Sequence, residues 1–148
     1  TWHKSLGLPK RLKRMFLQPK KSKFKKIRKG VISYLNFKSN KLKFGTIGLK
    51  SYESGTISAR QIESARQSIM RKINRKGKLW LRIFPSLPIT RKPTEVRMGK
   101  GKGSVSFWSA KVSGGSVIFE LCGVNKRTAI EAFRTGGAKL PIKTFVFT

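Results

Sequence analysis

The chain contains no aspartate, one histidine and one cysteine. Its carboxylates are Glu53, Glu63, Glu95, Glu120 and Glu131, set singly along the sequence. None is spaced to pair with another for general acid–base work. Glu63 and Glu131 fall on expected helices, where an ordinary ion pair with a nearby Arg or Lys is their expected role. His3 stands alone near the amino-terminal end, and no Cys/His cluster could hold zinc. The lone Cys122 excludes an internal disulfide framework, fits a reducing compartment and reads as a small buried hydrophobe. No apolar run approaches the roughly 18 residues of a spanning helix. The basic segments also lack the broad apolar face of a helix that lies on a membrane. These absences disfavour an enzyme, a metal protein and a membrane protein.

Positive charge is what the chain has in excess. Lys and Arg number 35 against 5 acidic residues, a formal net charge of +30 over 148 residues. Such a chain repels itself, so a polyanion is the simplest partner, and nucleic acid is the obvious one. A disordered tail is not the whole account. Hydrophobic residues make up 38%, with 10 Phe and 3 Trp, enough for the core of one domain.

From Thr1 to Tyr52 there is no acidic residue. Residues 1–14 form an extension, either a permanent one or the remnant of a targeting presequence. Residues 15–43 read as a basic arm ordered on its partner, because "KRLKRMFLQPKKSKFKKIRKG" has no clean helical or strand period. Its RNA-binding candidates are Lys20, Lys21, Lys23, Lys25, Lys26, Arg28 and Lys29, and a solvated tail is the plainer alternative. Residues 44–148 form the globular domain. A strand is expected through Leu42, Phe44, Ile47 and Leu49, interrupted by a bulge at Gly45.

The clearest helix runs from about Ser58 to Lys76. Ser58 and Gln61 make a capping box, Ile57 and Ile62 a hydrophobic staple, and Gly77 a C′ residue. Ile62, Ala65, Ile69 and Ile73 form one buried stripe. Arg60, Arg71 and Arg75 project on the opposite side, while Arg66 and Lys72 flank the stripe, and all five are candidate phosphate contacts. "KLWLRIF" alternates as a strand covered on both faces. "SVSFWSAKV" and "SVIFELC" read as two strands joined by a hairpin-like turn at Ser113–Ser116. A second helix begins at Asn125, with Ile130, Phe133, Gly137 and Leu140 on one side. Gly136 and Gly137 weaken it, and "IKTFVF" closes the domain as a strand. Strands and helices mix without a βαβα rhythm, so the fold class is α+β.

"RMGKGKG", residues 97–103, combines charge with an almost bare backbone. The P-loop pattern fails, since Lys102 is followed by Gly103 and position 96 is Val. The dinucleotide fingerprint fails too, because the glycines alternate and a strand follows. What remains is a loop whose amides approach a phosphate ribbon, with Arg97, Lys100 and Lys102 supplying charge. A merely mobile hairpin loop is the plainer alternative.

"MFLQPKKSKFKK", "RQIE", "RIFP", "KPTEVRMGKGKG" and "KLPIKT", in this order over about Met15 to Phe147, resemble the bacterial-type large-subunit ribosomal protein sixteen family. The resemblance implies an α/β-hammerhead type of α+β domain with a basic amino-terminal arm, bound to large-subunit ribosomal RNA. It implies that Lys20 to Lys29 thread into RNA. It also implies that Arg97, Met98, Gly99, Lys100, Gly101, Lys102 and Gly103 point towards the peptidyl-transferase region and the aminoacyl-site transfer RNA. Arg60, Arg66 and Lys72 match RNA-facing basic positions of the family, and neighbouring ribosomal proteins become partners. No cofactor, metal or small-molecule substrate is implied. The extension and the lysine-, phenylalanine- and isoleucine-rich usage look like a mitochondrial member. The chloroplast kind usually has Ser at the position of Lys100, and a bacterial cytoplasmic member is the other alternative. A free-standing RNA-binding or RNA-processing factor on the same fold is the competing function.

Overall fold

Two hydrophobic periods run through the chain, one near 3.6 residues and one of 2, and each builds its own layer. The computed structural model describes residues 17–148. The expectations for residues 1–14, and for Met15 and Phe16, lie outside the described residues. The elements in chain order are β1 (Ile47–Ser51), β2 (Gly55–Ser58), α1 (Ala59–Lys72), β3 (Lys78–Leu81), β4 (Leu87–Arg91), β5 (Ser104–Val112), β6 (Val117–Cys122), α2 (Lys126–Gly137) and β7 (Thr144–Phe147). One sheet has the order β3-β6-β1-β7 and a second the order β2-β5-β4. Every strand pair among the described residues is antiparallel. The result is a single compact α+β domain, the class expected.

Helix α1 starts where its side chains dictate. Ser58 accepts from the Gln61 amide, and the Gln61 side chain accepts from the Ser58 amide, so the capping box is complete. Ile62, Ala65 and Ile69 are fully buried and Ile73 nearly so, which makes the apolar stripe the inner face. Ile57 is buried in the same cluster as Ile62, where a staple would put it. The helix ends earlier than Gly77 suggests. Asn74 and Arg75 both take left-handed backbone, so the chain turns at once after Ile73. Gly77 serves β3 instead, with its Cα side against the Cys122 carbonyl.

Four further expectations change. Strands β5 and β6 do not form a hairpin, since each belongs to a different sheet. The Ser113–Ser116 turn carries the chain between sheets, anchored where Ser51 Oγ donates to the Ser113 carbonyl at 2.7 Å. No bulge sits at Gly45. It precedes β1, and the register shift lies between Leu49 and Lys50. The buried face of α2 is Ala129, Ala132, Phe133 and Gly136, with Ile130, Gly137 and Leu140 only partly covered. A Cβ at Gly136 would lie 2.5 Å from Ile69 Cγ1, so this glycine sets how closely α2 approaches α1. Cys122 is partly exposed rather than fully buried.

Candidate nucleic-acid interface

The described arm is not a free tail. After Leu17, which is buried in the core cluster, the chain crosses the tip of the β4–β5 hairpin. There Lys26 Nζ donates to the Lys102 carbonyl at 2.8 Å, and Lys102 Nζ donates to the Ile27 carbonyl at 2.8 Å. Further on, the Asn36 amide donates to the Gly114 carbonyl, and the Val117 amide donates to the Ser39 carbonyl. Leu42 fills the space above Gly48, together with the Phe147 ring. Residues 36–45 are thereby built onto the four-stranded sheet.

The root of the arm is held by Glu120, a fully buried carboxylate on β6. It accepts the amides of Phe44 at 2.7 Å, Gly45 at 2.8 Å and Lys43 at 3.2 Å, and it pairs with the Arg82 guanidinium. Burial alone would raise its pKa. The Gly45, Phe44 and Lys43 amides, with Arg82, outweigh burial and hold it below the ordinary glutamate value. Arg82 also lies over the Phe44 ring, which stacks on Trp80. The sequence reading passed over Glu120. Its signal is a charge between Phe119 and Leu121 in an apolar strand, a position that demands partners if buried.

The glycine-rich loop is the tip of the β4–β5 hairpin. Gly99, Lys100 and Gly101 are all left-handed. A Cβ at Gly99 or Gly101 would meet nothing within 4 Å, so these glycines supply backbone shape and leave their surroundings open. Gly103 differs, because a Cβ there would strike the Arg91 carbonyl across the hairpin base. Lys92 Nζ donates to the Gly99 carbonyl, a contact that sequence reading missed. Arg97, Lys100 and Lys102 are exposed, and Met98 is 98% exposed.

Charge is distributed unevenly over this framework. Four of the five glutamates make ion pairs: Glu63 with Arg66, Glu131 with Lys72, Glu120 with Arg82 and Glu53 with Lys143. The helical pairs of Glu63 and Glu131 are those the sequence suggested. Hydrogen bonding from Arg66 is the main reason the Glu63 pKa falls below its ordinary value. The Arg66 and Lys72 cations are therefore partly neutralised within the protein. Lys20, Lys21, Lys23, Lys25, Lys26, Arg28 and Lys29 are exposed and have no carboxylate partner among the described residues. Arg60 faces the arm at the start of α1. Arg71 lies about 16 Å further along the axis, and Arg75 follows the end of α1.

This is a basic α+β protein whose arm and hairpin tip are dense in exposed cations and whose few acids are mostly paired within the body. Residues 19–147 match the family described as Ribosomal protein L16p/L10e. The chain is 55% identical over 128 residues to the large ribosomal subunit protein uL16 of Bartonella henselae, covering 86% of this chain and 93% of that protein. The uL16 proteins of Bartonella bacilliformis, at 56%, and Bartonella quintana, at 55%, match over the same shares. The chain belongs to the L16p/L10e family of ribosomal proteins, and its role is that of a structural, non-enzymatic constituent of the large ribosomal subunit.

Proposed function

We propose that this protein binds large-subunit ribosomal RNA near the peptidyl-transferase region through the arm of residues 15–43 and the loop of residues 97–103, and helps to position aminoacyl-site transfer RNA. The observation that carries the reading is the reciprocal contact of Lys26 and Lys102. Two ammonium groups are each held on a backbone carbonyl of the other's segment, with no carboxylate partner among the described residues. That arrangement concentrates positive charge and becomes favourable beside a dense line of phosphates. Arg60 extends the cationic surface onto the body. Arg66, Arg71, Lys72 and Arg75 would form a secondary RNA contact along the far part of α1.

The mitochondrial matrix is the proposed location, on the lysine-, phenylalanine- and isoleucine-rich usage of the chain. A bacterial cytoplasm agrees with the bacterial relatives, and the chloroplast is the third alternative. Fractionation of cells carrying a tagged copy separates the three.

An iron chelate tethered at Lys100→Cys, in a Cys122→Ser background, tests the placement in reconstituted large subunits. The expected result is cleavage of large-subunit RNA around the peptidyl-transferase region and of aminoacyl-site transfer RNA. Cleavage confined to other RNA segments would overturn the placement. Failure of the protein to co-sediment with large subunits would overturn RNA binding as its role.

A further inference from the structure

A cleft lies between the start of the arm, the first turn of α1 and the β4–β5 hairpin. Lys21, Lys25, Arg60 and Arg91 line it, all exposed and none with a carboxylate partner among the described residues. Its hairpin wall carries Phe107 and Trp108. Trp108 is half-buried but is not among the residues packed on the core cluster, and no aromatic or cationic group of the described residues covers its ring. Phe107 is 41% exposed. The one carboxylate in the cleft, Glu63, is held by both Arg66 and Gln67. A partly exposed indole beside an exposed phenyl ring, among unpaired cations, matches one chemistry closely. Stacking takes the flat face of a base, and the cations take the phosphates on either side.

We propose that this cleft binds an unpaired RNA nucleotide, its base stacked on Trp108 and its flanking phosphates held by Arg60 and Lys21. The proposal rests on the RNA-binding reading and adds to it a preference that the arm and loop lack. Lysines that track a backbone accept duplex and single strand alike. A stacking platform accepts only a base that has left its helix. An acidic peptide would satisfy the cations but not the indole.

Tryptophan fluorescence of the full chain tests this with three probes: oligoadenylate of about 12 nucleotides, an RNA duplex of the same length and polyglutamate. Labelled-RNA anisotropy measures binding in parallel. The expected result is quenching by oligoadenylate that is largely lost in Trp108→Phe, with much less quenching by duplex at equal occupancy. Arg60→Ala, an exposed substitution that leaves the core untouched, should weaken oligoadenylate several-fold more than duplex. Trp108→Ala should weaken it about tenfold or more. Quenching that is identical in the protein and in Trp108→Phe, while anisotropy reports binding, would remove the nucleotide site and leave the RNA-binding reading standing. Equal quenching of Trp108 by polyglutamate would also remove it. If neither RNA binds, both readings fall together.

Discussion

Glycine does opposite work at the α1–α2 seam and at the hairpin tip. At the seam, Gly136 is buried and a Cβ would overlap Ile69. At the tip, Gly99 and Gly101 have open space around them and a left-handed backbone. The charges divide the same way. The body pairs four of its glutamates internally, whereas the arm offers no acid and the tip only Glu95. Where the fold is closed, space is filled from within and each acid has its own cation, although cations such as Lys76, Lys111 and Lys139 stay exposed on its surface. Where it is open, space and charge are both left for something outside the chain.

The harshest way to break the closed side is Ile69→Asp. It places a carboxylate on the buried stripe against Gly136, with no cation there to receive it. The expected outcome is loss of cooperative folding, read by circular dichroism and thermal melting. A folded, soluble variant would mean that the α1–α2 seam is not the core.

Next in size is Glu120→Gln. It leaves Arg82 without its counter-charge and sets an amide among amide donors, at a cost of about 3–5 kcal/mol in denaturant unfolding. The sign of its pH dependence follows from the depressed folded pKa. Stability from Glu120 is complete above 4.5, the ordinary glutamate value, and disappears as pH falls through the lower folded value. Unfolding measured from pH 6 down to pH 2.5 should therefore show a shallower acid slope in Glu120→Gln than in the unaltered protein. Equal slopes would show that the carboxylate is not a stabilising anion.

Gly136→Ala is milder. Helix propensity favours alanine by about 1 kcal/mol, but the new methyl forces Ile69 to move in a filled core, a strain of about 1–3 kcal/mol. Net destabilisation is expected. It should vanish in an Ile69→Ala background, where the methyl has room. If the two substitutions are simply additive, the glycine is not setting the helix spacing.

Much of the closed side was legible because its rules are local. Ser58 and Gln61 are three residues apart, and Ile62 to Ile73 repeat on one face, so capping and burial follow from spacing alone. The end of α1 was misread because Gly77 is the obvious left-handed residue, while the turn is made by Asn74 and Arg75. The Ser-Gly-Gly-Ser turn looked like a hairpin because turn chemistry does not reveal which strand pairs with which. The open side was legible in composition but not in shape. Lys26 and Lys102 meet across 76 residues, and no local pattern encodes that contact.

That contact also separates two lysines that the sequence treats alike. Lys100 lies exposed between two left-handed glycines and makes no hydrogen bond through its side chain among those described, whereas Lys102 spans to the Ile27 carbonyl. If Lys100 meets phosphate, Lys100→Ala should flatten the log–log salt dependence of RNA binding by roughly 0.9. Lys102 should behave differently even without RNA. Removing its ammonium frees the Ile27 carbonyl and leaves only Lys26 Nζ, on the backbone carbonyl of residue 102, to join arm and tip, so Lys102→Ala should raise amide hydrogen exchange along the arm near Ile27, and Lys100→Ala should not. Equal exchange in both variants would mean that the arm is held by its other contacts. An unchanged salt slope in Lys100→Ala would mean that the open tip faces something other than phosphate. Should both expectations hold, the tip has one lysine that reads the partner and one that keeps the arm in place to read it.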